Sequence, residues 1–470
     1  MRKITIPNTR LEGHGKVDII LDEDGNVKDA YFQVIEFRGF EKFCEGRYVE
    51  ELPRITPKIC GVCPGAHHIA SSKACDAVYG VNIPSTAKKL RELYYNAHIA
   101  HSHILHFYAL GAPDLLLKNE DASKRNIFGL IEVVGKDVGM EIIESRSYAQ
   151  KIQEIIAGHP IYPVSSVPGG LSKPLSEEDR KKIEEMAKKL IDFGKKGLDL
   201  FESKILKNEE IKDLFSGDLY SHRTYYAGMV DENNEVNFYD GKIRVFSPEG
   251  KEVSKFEPQN YLDHISERVE KWSYIKFPFL KNIGWRGFED GENSGIYRVN
   301  SLARLNVSDG MATPLAQEAY ETLYGYFAEK PVHNILAYHW SRLVEIMYAA
   351  ERILELATDE EITDRNVREK VGNVVGEGVG VVEAPRGTLY HHYVTDKKGV
   401  TRKVNLIVAT VQNNAAINLS VKKVAQNLIK NGKADEKLLN MVEMAVRAYD
   451  PCLACASHHL PLDLKIHRIQ

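Results

Sequence analysis

The sequence lacks several features that would assign it to a specialised class of protein. Its 470 residues contain only six cysteines, too few for a disulfide-stapled secreted fold. No apolar run approaches the roughly 18 residues of a membrane-spanning helix, and the N-terminus has no apolar signal-peptide core. Lys and Arg number 62 against 66 Asp and Glu, so no basic excess points to nucleic acid. We therefore expect a cytoplasmic protein with no membrane span and no nucleic-acid partner.

Hydrophobic periodicity predicts a mainly α fold with small β hairpins and sheets. Alternating apolar residues predict a β-hairpin near 16–34 and a β insertion near 217–260. We expect residues 1–458 to form one domain and residues 459–470 a C-terminal tail. Helical spacing predicts further helices at about 84–110, from Ser176 onwards, at 314–357 with a break near Pro331, at 414–430 and at 435–448.

Four of the six cysteines form two C-x-x-C pairs near opposite ends of the chain. Cys60 precedes Cys63, and Cys452 precedes Cys455. Each pair follows a proline or a helix end, on a turn where two thiolates can converge on one metal ion. Four thiolates suit zinc, iron in a cluster or nickel, so the spacing alone leaves a structural zinc site, an iron–sulfur site and a nickel site open. The other two cysteines are predicted to be small buried hydrophobic residues.

The segments flanking both pairs match a known family. The first pair lies in RITPKICGVC at 54–63 and the second in DPCLACASH at 450–458. Further matching segments are RLEGH at 10–14, FRGFE at 37–41, HILHFY at 103–108 and EAPRG at 383–387. Together these segments resemble the large, catalytic subunit of nickel–iron hydrogenases. The similarity is greatest to the cytoplasmic, viologen-reducing branch that feeds heterodisulfide reductase, and NAD-linked and sulfur-linked members stay open.

The resemblance implies a nickel–iron centre that splits dihydrogen reversibly and heterolytically. Cys60 and Cys452 would be terminal nickel ligands, while Cys63 and Cys455 would bridge nickel to an iron that carries carbonyl and cyanide ligands. A terminal thiolate such as Cys452 would serve as the first base. Glu12 matches the glutamate that relays the proton outward.

Other residues match groups that surround the centre in this family. Arg386 matches an arginine held above the metals, where a fixed cation orients dihydrogen. Pro385 matches a wall residue beside the diatomic ligands, and Thr410 matches a hydroxyl that donates to an iron cyanide. His67 matches a histidine that donates to a bridging sulfur, and Asp450 a carboxylate near the arginine.

The resemblance also implies a second metal ion, magnesium or iron. Glu41 and His458 match its ligands, together with the backbone carbonyl of Leu406, and oxygen plus imidazole ligands suit either metal. Ser102 is a departure from the family pattern, because membrane-bound and periplasmic members carry there an aspartate that pairs with the arginine. We therefore expect Asp450 to anchor that arginine alone.

Electrons must leave this chain through a partner, because the sequence offers no flavin or nicotinamide site and no local cysteine cluster for a relay. The resemblance implies a small subunit with iron–sulfur clusters, and further electron-transfer subunits that reach a soluble acceptor. It also implies nickel-insertion factors and a maturation endopeptidase that removes a tail such as 459–470.

Four other interpretations are weaker. A quinone-site subunit of respiratory complex I would lack the thiolates, and a zinc-stapled scaffold would not need the flanking segments. GEGVG at 376–380 lacks the spacing of a nucleotide loop and is predicted to be a turn leading to Arg386. Four histidines on one predicted helix are expected to be hydrogen-bonded rather than a further metal site: His98, His101, His103 and His106.

Overall fold

A computed structural model describes residues 2–457, and its secondary structure is more mixed than the sequence predicts. Helices, with the 3₁₀ and π segments included, take about 48% of the described residues, and strands together with isolated bridges take 19%, so the prediction of a mainly α fold is only partly confirmed. The helices are α1 (Phe40–Cys44), α2 (Leu52–Ile55), α3 (Pro64–Val78), α4 (Ser85–Leu105), α5 (Ala112–Leu116), α6 (Ile127–Val134), α7 (Lys136–Ala157), α8 (Glu177–Leu200), α9 (Glu209–Ser216), α10 (Tyr261–His264), α11 (Ser301–Val307), α12 (Pro314–Phe327), α13 (Ala337–Thr358), α14 (Ala409–Leu428), α15 (Glu436–Arg447) and α16 (Leu453–Ala456). The strands are β1 (Arg2–Pro7), β2 (Gly15–Leu21), β3 (Val27–Val34), β4 (Ser166–Val167), β5 (Gly170–Leu171), β6 (Tyr225–Val230), β7 (Lys242–Phe246), β8 (Glu252–Phe256), β9 (Ile265–Arg268), β10 (Phe277–Leu280), β11 (Tyr297–Arg298), β12 (Glu377–Ala384), β13 (Gly387–Thr395) and β14 (Thr401–Ile407).

The hairpin predicted near 16–34 is confirmed as β2 and β3, which pair antiparallel with Gly15 opposite Val34. Gly25 has a φ of +81° in the connecting turn, a conformation that favours glycine. β1 adds a third strand along β2. The sheet lies against α14. This helix directly follows β14 in the chain.

The β insertion predicted near 217–260 is larger than expected. Its sheet has the order β11-β6-β7-β8, and the separate pair β9–β10 follows, so strands continue to Arg298. The predicted range of 217–260 includes β6, β7 and β8 but not β9, β10 and β11. Every residue of β6 is buried, so this strand lacks the alternation by which a half-exposed strand is predicted.

The antiparallel sheet β12-β13-β14 was not predicted at all. The turn expected at 376–380 is wrong, because from Glu377 onwards this segment belongs to β12. Its glycines allow α3 to lie directly on the strand. A Cβ at Gly380 would be 2.0 Å from the carbonyl oxygen of Ala70, and one at Gly378 would be 2.4 Å from that of Ala74.

Long helices form the other half of the molecule, where α13 packs on α4 and α8, and α7 packs on α4 and α8. The Ser176 hydroxyl caps α8 by accepting from the Asp179 N–H at 3.1 Å. The break near Pro331 separates α12 from α13, as predicted. One hydrophobic core includes residues from Ile6 to Ala456. Within residues 2–457, no helix has the length and apolar character needed to cross a membrane.

Candidate metal centre

Each C-x-x-C pair lies where the chain turns into a helix. Cys60 follows the 3₁₀ turn Thr56–Ile59, and Cys63 immediately precedes α3. Pro64 suits the first position of that helix, because its missing N–H would have no helical partner. Cys452 immediately precedes α16, and Cys455 lies within it. Both turns therefore direct two thiols towards one point.

The four thiols meet in the interior of the protein. Their Sγ atoms all lie within 4.8 Å of one another. Cys60 Sγ is 3.2 Å from Cys452 Sγ, Cys63 Sγ is 3.2 Å from Cys455 Sγ, and Cys452 Sγ is 2.8 Å from Cys455 Sγ. All four side chains are buried. This is the only group of metal-ligating side chains of this kind in the described part of the chain.

The electrostatics of the cluster favour a thiolate at Cys60. The backbone N–H groups of Val62 and Cys63 each lie 3.2 Å from its Sγ. Burial opposes ionisation, but hydrogen bonds from the thiols of Cys452, Cys455 and Cys63 lower the pKa of Cys60 well below its usual value. A thiolate is the form that binds a metal.

Glu12 lies against the C-terminal cysteine turn. Its Oε2 is 3.0 Å from Cys452 Sγ and accepts from the Ala454 N–H at 3.1 Å. Its backbone carbonyl accepts from the Leu453 N–H at 3.0 Å, so both ends of the residue are held. Burial and the nearby charge of Cys60 raise the pKa of Glu12. A half-buried carboxyl with this environment can hold or release a proton beside the thiol.

Arg386 is anchored by Asp450. This contact was expected because Ser102 replaces the aspartate that pairs with the arginine in other members of the family. Its Nη2 donates to Asp450 Oδ1 at 3.0 Å, and its Nε donates to the Asp450 carbonyl at 2.7 Å. Burial disfavours the cation, but the charges of Asp450 and Cys452 raise the pKa of Arg386 well above its usual value. Ser102 is fully buried, and its hydroxyl has no hydrogen-bond partner among residues 2–457.

A small, mainly apolar cavity adjoins the cluster. Thr410 lies on its wall, where its Oγ1 accepts from the Cys452 N–H at 2.9 Å and keeps its own O–H to donate. The residues that line this cavity include Cys63, Cys452, Cys455, Ala384, Pro385, Arg386, Leu389, Val408 and Thr410.

A buried arginine holds the turn that carries Pro385 and Arg386. Arg304 Nη1 donates to the Ala384 carbonyl at 2.9 Å and to Glu383 Oε2 at 2.8 Å. Arg304 also forms a two-point ion pair with Glu345, at 2.6 and 2.7 Å. The sequence reasoning missed this arginine, because nothing near it in sequence signals a contact with residues 80 positions away.

A chain of hydrogen bonds leads away from Cys455. His67 Nε2 lies 3.4 Å from Cys455 Sγ, and its Nδ1 lies 3.0 Å from His391 Nε2. His391 Nδ1 in turn lies 2.6 Å from the Tyr393 hydroxyl, which reaches Ser71 Oγ at 2.8 Å. His67 thus lies beside the sulfur of Cys455. His391 and Tyr393 were missed, since they belong to the sheet that the sequence did not reveal.

Two of the three residues predicted to hold a second metal ion lie together, and the contact between them is made by the backbone N–H of Leu406. Glu41 is buried, and its Oε1 accepts from the Leu406 N–H at 2.6 Å. His458 lies outside the described residues. The Arg38 N–H donates to the carbonyl of Ser457 at 2.8 Å, so the end of the described chain lies near α1, which begins with Phe40.

Three of the four clustered histidines in α4 and just after it are hydrogen-bonded, as predicted, whereas His101 Nε2 has no hydrogen-bond partner among residues 2–457. His98 Nδ1 lies 3.2 Å from Gln153 Oε1, and His103 Nε2 lies 2.7 Å from Glu345 Oε2. His106 Nε2 donates to a backbone carbonyl at 3.0 Å. Burial lowers the pKa of His98 and His103 to about 4, so both rings are neutral near pH 7.

The sequence matches one family over most of its length. The profile described as "Nickel-dependent hydrogenase" matches residues 38–124 and 180–458, and the one described as "HoxL-like" matches residues 3–37. The chain is 51% identical to an iron–sulfur subunit of the F420-non-reducing hydrogenase of Archaeoglobus profundus, over 98% of this chain and 95% of that protein. It is 38% identical to the "NAD-reducing hydrogenase HoxS subunit beta" of Cupriavidus necator, over 98% and 95%.

Solved structures agree with the sequence matches. The fold resembles a chain from the crystal structure of an NAD⁺-reducing [NiFe]-hydrogenase in the H₂-reduced state, with a TM-score of 0.91 and 38% identity. That similarity covers 97% of this chain and 100% of the other. A Ni-Fe-Se hydrogenase from D. vulgaris Hildenborough shares the fold with a TM-score of 0.78 at 22% identity, covering 97% and 100%.

Proposed function

This chain belongs to the nickel-dependent hydrogenase family, as a large catalytic subunit, and on that premise we propose how its residues serve the reversible splitting of dihydrogen into protons and electrons. The observation that carries the proposal is the meeting of four buried thiols within 4.8 Å. A zinc-stapled scaffold or a complex I-like relative is not favoured, because the relatives that match nearly the whole chain are hydrogenase subunits.

The cluster fits a nickel–iron centre. Cys60 and Cys452 would be terminal nickel ligands, and Cys63 and Cys455 would bridge to iron. The cavity beside the cluster is lined by Cys452 as well as by both proposed bridging cysteines, which supports an iron site on that side of the cluster. When bound, the metal pair supplies the Lewis-acid and redox chemistry that polarises dihydrogen and accepts its two electrons.

The cavity walls suit carbonyl and cyanide ligands on iron. Pro385, Leu389 and Val408 offer apolar surface, which suits carbonyl. The hydroxyl of Thr410 is one of the polar groups that line this cavity, and its O–H is available to donate because its oxygen accepts from the backbone of Cys452. We assign that hydroxyl to a cyanide.

Arg386 supplies a fixed positive charge at the cavity. Asp450 holds its Nε and Nη2, whereas Nη1 has no hydrogen-bond partner among residues 2–457. A cation that is already oriented stabilises developing negative charge without reorganisation in a water-poor site. Arg386 therefore orients dihydrogen as it is polarised. We assign the Nε2–H of His67, which lies 3.4 Å from the sulfur of Cys455, as a donor to that sulfur, where it would moderate the basicity of the ligand.

Cys452 and Glu12 move the proton. The Cys452 sulfur accepts the proton released on heterolysis, and Glu12 Oε2 receives it across 3.0 Å. The Ala454 N–H holds that oxygen in place at 3.1 Å. Since Glu12 is only partly buried, it can then pass the proton towards solvent.

The test is isotope exchange between D₂ and H₂O by the native complex, followed by mass spectrometry. The wild-type complex is expected to form HD and H₂. Glu12→Gln removes the proton-accepting carboxylate and is expected to slow exchange at least about tenfold while nickel and iron stay bound. Glu36→Gln, which changes a nearby carboxylate paired with His14, is the matched control and should exchange at the wild-type rate. Unchanged exchange in Glu12→Gln would remove Glu12 from this role.

We also propose that Glu41, the Leu406 carbonyl and His458 hold a second metal ion, magnesium or iron. Support comes from the buried position of Glu41 beside the backbone of Leu406. A buried carboxylate is retained where it is paired, hydrogen-bonded or bound to a metal.

Partners follow from the relatives and from the cysteines. The proposed centre uses four cysteines, and the remaining two, Cys44 and Cys75, are separate buried thiols that are too few to hold an iron–sulfur cluster. The electrons would therefore pass to a small subunit with iron–sulfur clusters and on to further electron-transfer subunits. The names of the archaeal and NAD-reducing relatives support membership of such an assembly. The family match ends at His458, which supports removal of residues 459–470 by a maturation endopeptidase after nickel-insertion factors have acted. The single domain at 1–458 and the cytoplasmic location stay predictions.

A further inference from the structure

The two residues of the proposed proton path, Glu12 and Cys452, share an unusual feature of the backbone. Two positions before each of them lies a residue other than glycine with a left-handed conformation. Arg10 has a φ of +54° and lies two residues before Glu12. Asp450 has a φ of +53° and lies two residues before Cys452. Residues other than glycine rarely take this conformation, and surrounding contacts have to hold it in place. The contacts that hold both turns belong to one network.

Asp114 is the centre of that network. This carboxylate, on α5, is almost fully buried and forms ion pairs with two guanidinium groups. Arg447 Nε donates to its Oδ2 at 2.6 Å and Nη2 to its Oδ1 at 3.0 Å, while Arg10 Nη2 donates to Oδ1. Burial would raise the pKa of Asp114, but Arg447 and Arg10 outweigh it and hold this pKa below its usual value. The carboxylate is therefore charged and joins the two arginines.

The network holds the N-terminal segment on both sides of Arg10. Arg10 Nη1 donates to the Leu110 carbonyl at 3.0 Å. The backbone N–H of Thr9 donates to Glu443 Oε1 at 2.8 Å. Glu443 Oε1 is also 3.1 Å from Arg447 Nη1. The segment that leads to Glu12 is thus fixed to α15 and to the turn before α5.

The same network holds the C-terminal segment. The backbone carbonyl of Arg447, at the end of α15, accepts from the Asp450 N–H at 2.9 Å and from His106 Nε2 at 3.0 Å. Asp450 then leads directly to Cys452. One cluster of charges therefore fixes both chain segments whose side chains meet at 3.0 Å as Glu12 Oε2 and Cys452 Sγ.

We propose that Arg10 and Asp114 are positioning residues that set the separation between Glu12 and Cys452 across which the proton moves. The inference rests on the proposed role of Glu12. Neither residue touches the thiol cluster. Their effect on the reaction would pass through the backbone turn at Arg10. Loss of either residue would therefore slow the proton step more than it would reduce the amount of bound metal.

The experiment measures D₂–H₂O exchange, metal content and the infrared bands of the iron ligands in the native complex. Arg10→Gln is expected to lower exchange at least about tenfold, to increase the solvent isotope effect on H₂ uptake, and to leave metal content and band positions unchanged. Arg10→Lys keeps a positive charge beside Asp114, and its exchange rate is expected to lie within about threefold of wild type. Asp114→Asn is expected to act in the same direction as Arg10→Gln.

Arg352→Gln is the matched control. Arg352 has a side-chain exposure of 17%, against 16% for Arg10, and pairs with the largely buried Glu92 without any link to Glu12. This variant should exchange at the wild-type rate. Wild-type exchange in Arg10→Gln, or a loss of exchange that follows an equal loss of nickel, would contradict the positioning role. If Glu12→Gln also exchanges normally, the proposed proton path itself fails, whereas a slow Glu12→Gln beside a normal Arg10→Gln refutes only this inference.

Discussion

At the residue scale, His68 illustrates how burial fixes protonation near the centre. The ring is fully buried on α3, where Nδ1–H donates to the Pro53 carbonyl at 2.7 Å and Nε2 accepts from the Ser166 N–H at 3.2 Å. Both nitrogens are used by the neutral ring, since one donates and the other accepts. Burial lowers the pKa of His68 to about 4. Protonation therefore costs the folded state a hydrogen bond and the burial of a charge.

His68 should make the fold sensitive to acid. Because its folded pKa lies below its unfolded value, the stabilisation is present above about pH 6.5 and is lost as the pH falls towards about 4. Between about pH 7.5 and about pH 5 the loss amounts to about 2 kcal/mol. Urea unfolding followed by circular dichroism should show His68→Gln losing about 2 kcal/mol less than wild type over this interval. Equal losses in the two proteins would show that His68 does not carry this effect.

At the element scale, the contact of α3 with β12 places the first cysteine pair. α3 begins directly after Cys63 and runs along β12, which ends at the turn with Arg386. Gly378 and Gly380 let the helix backbone approach the strand, because a Cβ at either position would overlap a carbonyl oxygen of α3. This contact sets the distance between a pair of metal ligands and the arginine beside them.

Gly380→Ala should therefore disturb both the stability and the site. Its Cβ would lie 2.0 Å from the Ala70 carbonyl oxygen, so helix and strand must separate. We expect a loss of about 1–3 kcal/mol or more in the free energy of unfolding, together with reduced nickel content. Gly372→Ala is the control, since a Cβ there meets no atom within 4 Å. A Gly380→Ala protein with wild-type stability and nickel would show that the close approach is not needed.

Local signals account for the elements that the sequence predicted well. The hairpin of β2 and β3 has alternating apolar residues around a Gly turn, and α8 has a capping serine before an amphipathic run. The sheet β12-β13-β14 was missed because almost all of β13 is buried and its partner α3 lies some 300 residues away in sequence. Periodicity reports exposure on one face, and it carries no signal where both faces are covered.

At the scale of the whole molecule, the two ends of the chain close the proposed site. The segment with Glu12 lies against the segment with Cys452, and the first cysteine pair reaches the second across the core. The sequence located these residues because their flanking segments resemble a family. It could not locate Arg304, His391 or Asp114 as supporting residues, since their partners are set by the tertiary fold.

The most direct test of the central claim is a count of nickel, iron and zinc per large subunit in the native complex, purified without oxygen and active in H₂ uptake. We expect about one nickel with iron in the wild type and in Cys75→Ala, which changes a buried cysteine outside the cluster. Cys452→Ala should lose both nickel and H₂ uptake. An active complex with zinc and no nickel, or a Cys452→Ala complex that keeps nickel and activity, would contradict the account.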